Sequence, residues 1–147
     1  MGEKCTFTTG AITLSAAQEA IGAAIDAAKA LGISVSVVSV DPSGLHKALG
    51  RMDGASIFTY EVAHKKAWTA AVTGAPTSGV HRFIAGDEGS LLSMPHVGNF
   101  SVVAGGLPLR VNEDCVGAVG VSGATAELDL KVAEAAMEVL HERAHVQ

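Results

Sequence analysis

Apolar residues recur at Leu14, Ala17, Ile21, Ala24, Ile25, Ala28 and Leu31, the spacing of one helical face, and Gly32 follows as a natural stop. Ser15 precedes most of this run with Gln18 three residues on, a capping-box pattern that predicts a first helix from about Ser15. From Ile33 to Val40 (ISVSVVSV) the pattern becomes β-branched alternation. Its phase slips at Val37-Val38, which suits a bulge or a strand buried on both faces. Asp41-Pro42-Ser43-Gly44 fits a type I turn, and Leu45 to Gly50 returns as the second strand of a hairpin. After the polar loop Arg51-Met52-Asp53-Gly54-Ala55, Ser56 can cap a second helix running to about Val72, stopped by Gly74 and Pro76. Tyr60, Ala63, Ala67, Ala70 and Ala71 line one face of it.

Thr77 to Asn99 has no sustained period beyond a helical turn at Val80 to Ala85, so it is expected to be an irregular loop, where binding residues concentrate. Three strands are expected next: Phe100 to Ala104, Leu107 to Val111 and Cys115 to Val121, separated by Gly105-Gly106 and by Asn112-Glu113-Asp114. The glycines of Phe100 to Gly123 suit central strands that another backbone approaches closely. Ser122 to Thr125 leads into a last helix. Its Glu127 and Asp129 suit the positive end of the dipole; His141, Arg143 and His145 suit the other end. Its expected buried stripe is Leu128, Val132, Ala135, Ala136, Val139 and Leu140. The order helix, hairpin, helix, loop, meander, helix predicts an α+β fold, a five-stranded antiparallel sheet flanked by helices, with residues 1–147 as one domain.

Composition narrows the function classes. The net charge is −5 and no basic stripe exists, which argues against general nucleic-acid binding. With 48% apolar and only 17% charged residues, some apolar surface is expected to be shared between copies in a homo-oligomer. Cys5 and Cys115 form neither a CxxC pair nor a disulfide framework. The N-terminus lacks the layout of a signal peptide and no run matches a membrane span, so the expectation is a soluble, cytoplasmic protein.

Candidate chemistry centres on two cations. If the hairpin packs beside the second helix, Arg51 and Lys66 could converge on one anionic group, arginine as a bidentate fork and lysine as a point charge. The backbone at Gly105-Gly106 and the entry to the last helix, Ser122 and Gly123 included, could add N–H donors. Asp53 is the candidate general base or orienting carboxylate, although Asp-Gly is equally a turn pattern. His96, between Pro95 and Val97, is the histidine best placed for a ligand or proton-transfer role, with His81 a weaker case. His141 and His145 are spaced i, i+4 but lack an evident third ligand, so no metal site is expected. No P-loop, dinucleotide fingerprint, nucleophile elbow or HExxH occurs.

Five features in order span Thr13 to Leu140: Val40-Asp41 followed by Gly44; Arg51-Met52-Asp53-Gly54-Ala55; Lys66-Ala67 with Thr69-Ala70; Gly105-Gly106-Leu107-Pro108-Leu109-Arg110; and Val116-Gly117-Ala118-Val119-Gly120-Val121-Ser122-Gly123. In this spacing the chain resembles the GlcG/HbpS-like family of small haem-binding and haem-degrading-type proteins, which includes the C-terminal domain of PduO-type proteins. The resemblance implies the five-stranded sheet, assembly into dimers or rings of dimers, and binding of haem or a related tetrapyrrole, with Arg51 or Lys66 taking a propionate. It also implies haem ligation by a histidine near the N-terminus, whereas the first histidine here is His46 and the first helix carries Gln18. Other relatives imply a second reading, a cofactor-independent enzyme on a small carboxylate, such as a muconate-type deaminase, tautomerase or hydrolase. Arg51 and Lys66 would then hold the carboxylate, while Asp53, His96 or Glu61 handled protons.

Overall fold

The structure, a computed structural model, describes residues 2–145. Helix α1 (Leu14–Ala30) begins slightly before the expected point, because Thr13 rather than Ser15 is the cap: its Oγ1 accepts from the Ala16 amide at 3.1 Å. Strands β1 (Ser36–Val40) and β2 (His46–Arg51) form the expected hairpin. Its turn is closed by the Gly44 amide donating to the Asp41 carbonyl, and the Asp41 carboxylate accepts from the Ser43 and Leu45 amides. β1 is buried on both faces, and its irregularity falls between Ser39 and Val40. Helix α2 (Ile57–Thr73) ends at Gly74 in the left-handed conformation, as expected for a glycine stop.

Two expectations are corrected beyond α2. Thr77 to Asn99 is not irregular: it forms α3 (Thr77–Ala85), α4 (Glu88–Ser93) and a 3₁₀ turn at Met94–His96. In α3, Thr77, Val80 and Ile84 are buried at i, i+3 and i+7, and the Asp87 carboxylate caps α4 by accepting from Ser90. Such short, mostly exposed helices leave too few apolar positions to show a period. Phe100 to Ala104 is not a strand, so the sheet has four strands rather than five. The backbone there is held by helix side chains instead: the Ser101 amide donates to Thr69 Oγ1 and the Val103 carbonyl accepts from Thr77 Oγ1, both at 2.8 Å. A segment bonded that way needs no strand partner.

Strands β3 (Gly106–Val111) and β4 (Asp114–Ser122) complete an antiparallel sheet of order β2-β1-β4-β3, and α5 (Ala126–His145) closes the described chain. One face of the sheet, with Val37, Val119, Val121 and Leu109, packs against α1 and α5. The other, with Val38, Val40 and Ala118, packs against the alanine face of α2. Here α2 comes unusually close. Gly106 and Gly120 are cross-strand partners, and a Cβ on either would collide with the α2 backbone, at the Lys66 and Ala63 carbonyls respectively. Alanines on the helix and glycines on the strands therefore serve one purpose, a backbone-on-backbone seam.

Candidate functional site

Close packing of α2 puts Lys66 in the interior, where it is 1% exposed. An ammonium in that position must be bonded. Its Nζ donates to the Val121 carbonyl at 2.8 Å and to Asp129 Oδ2 at 3.0 Å. Asp129 Oδ1 in turn accepts from the Ala124 amide at 2.9 Å, so one carboxylate ties α2 to the start of α5. Burial pushes the Lys66 ammonium below its ordinary pKa, while the charge of Asp129 and its hydrogen bond pull the other way. Gly105 leaves the space for this pair: a Cβ there would lie 3.0 Å from Lys66 Nζ.

The structure thus brings Lys66, Gly105 and Gly106 to one buried node and adds Asp129 to it; Ser122 is buried at the end of β4, paired with Ser36, and Gly123 has a separate close contact with the Ser34 carbonyl. Arg51 and Asp53 lie elsewhere. Arg51 ends the edge strand β2, two strands from β4, and its Nη1 donates to the Ala55 carbonyl at 2.8 Å. Asp53 is exposed in the tight turn that Gly54 completes at φ 87°. His96 is exposed in the 3₁₀ turn, and His81 is exposed on α3. Asp129 was expected to serve the helix dipole, and its partnership is the residue relation that pattern reading missed. A signal existed: a lysine inside an alanine face needs a counter-ion once that face is buried.

The opposite end of β4 carries a different feature. The segment before α1 docks there, with the Ile12 amide donating to the Val116 carbonyl at 2.8 Å. Between α1, α5 and the β3–β4 hairpin lies a half-open cleft of about 250 Å³ with an apolar floor of Ile12, Ala16, Val111, Val116 and Leu140. Arg143 stands on its rim, donating to Ser15 Oγ and pairing with Glu19 at 2.9 Å. Ala144 also borders a second recess, of about 270 Å³, with Arg110, Asn112, His141 and His145. Arg110 is held there by the carbonyls of Gly74 and Glu113.

A third cluster joins β2 to α2. The His46 and His64 rings stack with centroids 4.2 Å apart, and Tyr60 Oη lies 3.3 Å from His46 Nε2. Burial, and then the neighbouring His64, lower the His46 pKa. Among the described residues, no helix is long and apolar enough to cross a membrane, and no group of three or more His, Cys, Asp or Glu side chains is placed to hold a metal ion.

Residues 12–138 match the family model described as haem degrading protein HbpS-like, and the chain belongs to that family. It is 36% identical to an uncharacterized 15.0 kDa protein encoded in the dhaT-dhaS intergenic region of Citrobacter freundii, over 89% of this chain and 93% of that one. A double mutant of Streptomyces reticuli HbpS has a similar structure, with a TM-score of 0.85 and 32% identity, covering 95% of this chain and 94% of the other. A PduOC–haem complex is similar at a TM-score of 0.80 and 28% identity, over 88% of this chain and 94% of that one.

Proposed function

We propose that this protein binds haem or a related tetrapyrrole in the cleft between α1 and α5. The observation that carries the reading is the likeness to the PduOC–haem complex over 88% of the chain. The cleft's chemistry supports it. An apolar floor suits a macrocycle, the Arg143 and Arg110 guanidinium groups suit propionates, and the recess offers imidazoles within one helix face. Bound haem would supply a redox-active iron there. The chain's own part is to exclude water from the ring with Ile12, Val116 and Leu140 and to set its orientation through the two arginines.

Titration of the purified protein with haemin tests this reading. A saturable shift and sharpening of the Soret band is the expected result, and a spectrum identical to free haemin contradicts it. The reading in which Arg51 and Lys66 hold a small carboxylate draws less support, because the Lys66 ammonium is enclosed and already bonded to Asp129 and Val121.

We also read the chain as a homo-oligomer. Ile57, Phe58 and Phe83 are 80%, 70% and 83% exposed, and a second copy is the simplest partner for that much unpartnered apolar surface. Sedimentation at micromolar concentration checks it, with a dimer or larger assembly expected.

A further inference from the structure

We propose that His46 and His64 form a site for a divalent late transition-metal ion, copper(II) above all, with Tyr60 as a third donor. The site lies on the α2 side of the sheet and is independent of the haem reading. A local irregularity brings the rings together. Residues two apart in a strand share a face, so a regular β2 would turn His46 to the side of Ala48, which packs against the α1 and α5 core. The register shift between Ser39 and Val40 prevents this: Ser39 pairs with Ala48 and Val40 with His46, leaving Lys47 as the extra residue. A bulge of that kind re-aims a side chain, and here it turns His46 toward α2. Tyr60 and His64, four positions apart, meet it from one face of the helix.

The ring spacing is that of adjacent ligands. Two imidazoles bound about 2.0 Å from one metal, at a bond angle of about 90°, hold their ring centroids about 4.4 Å apart. A tetrahedral angle spreads them to about 5.1 Å. His46 and His64 stand at 4.2 Å, with their planes 29° apart. That spacing favours the tetragonal geometry of copper(II) and nickel(II) over the tetrahedral geometry of zinc, and the usual affinity order places copper first. Tyr60 Oη, 3.3 Å from His46 Nε2, is the nearest oxygen donor. His46 is exposed, so the ion has a way in and water completes its coordination. Bound there, the metal clips the edge strand β2 to α2.

Titration of the untagged protein with copper(II), after metal removal by a chelator, tests the site. The readout is Trp68, the single tryptophan, which follows His64 by one turn of α2 and whose emission a nearby paramagnetic ion quenches. The parent should show saturable quenching, with nickel(II) and zinc(II) binding more weakly. Electron paramagnetic resonance of the first equivalent of copper should show two imidazole nitrogens, a count that needs no variant. His46→Gln and His64→Gln should each bind copper at least about tenfold more weakly, with far-ultraviolet circular dichroism confirming that they fold. His81→Gln, exposed on α3, should behave as the parent. Absence of quenching in the parent, or quenching that survives both His46→Gln and His64→Gln, overturns the proposal and leaves the haem reading untouched. Zinc binding as tightly as copper overturns the tetragonal assignment.

Discussion

Lys66 Nζ lies 3.0 Å from Asp129 Oδ2, joining residues 63 positions apart with both side chains almost fully enclosed. Each charge is tolerable only because the other is there. Lys66→Met leaves the Asp129 carboxylate without its counter-ion and is expected to destabilise the fold by about 3–5 kcal/mol. The double variant Lys66→Met, Asp129→Leu removes both charges and should recover much of that loss. Urea unfolding of the single and double variants measures the difference.

The seam between α2 and the sheet predicts a sharp contrast among glycines. A Cβ on Gly120 meets the Ala63 carbonyl and the Ala67 amide, both rigid backbone, so Gly120→Ala is expected to cost at least about 1–3 kcal/mol. Gly22, on the exposed side of α1, meets nothing within 4 Å. Gly22→Ala should instead stabilise by about 0.5–1 kcal/mol. Thermal melts of the two variants should move in opposite directions.

Trp68, the single tryptophan, is gripped between Gly44 and Gly98, both with positive φ and both too close to the ring for a side chain. Gly98→Ala should push the indole out of this clamp. The expected outcome is red-shifted emission and easier acrylamide quenching, with far-ultraviolet circular dichroism preserved.

The His46–His64 stack predicts acid sensitivity. The folded pKa of His46 is lowered from the ordinary 6.5 by burial and by His64, so the unfolded chain takes up the proton first as pH falls. The stability associated with neutral His46 is therefore present above pH 6.5 and is lost as pH falls through the lower folded pKa. Denaturant midpoints measured from pH 7.5 to 5 should fall, and His64→Gln should flatten that dependence.

Much of this architecture is legible in the residues. The middle of the α1 stripe (Ala17, Ile21, Ala24 and Ala28), the Asp41–Gly44 turn, the Gly74 stop and the last two strands of the Phe100 to Gly123 ribbon each carry a local physical cause and lie where the pattern predicts, whereas Leu14 and Leu31 at the ends of the stripe are exposed. What was not legible depends on distant partners. Phe100 to Ala104 has strand composition, but Thr69 and Thr77 claim its backbone. Asp129 has the position of a dipole partner, and only the burial of α2 turns it into a counter-ion. The cleft is assembled from residues near both ends of the chain, from Ile12 to Ala144, which no local pattern connects.

The location of the ligand is the most direct test of the account. Haemin added to isotope-labelled protein carries a paramagnetic iron that broadens nearby amide signals. Those of Ile12, Ala16, Leu140 and Ala144 should lose intensity first, while Ala63 and Trp68 on α2, across the sheet, keep theirs. Unchanged intensities throughout, or broadening centred on α2, would contradict a haem site between α1 and α5.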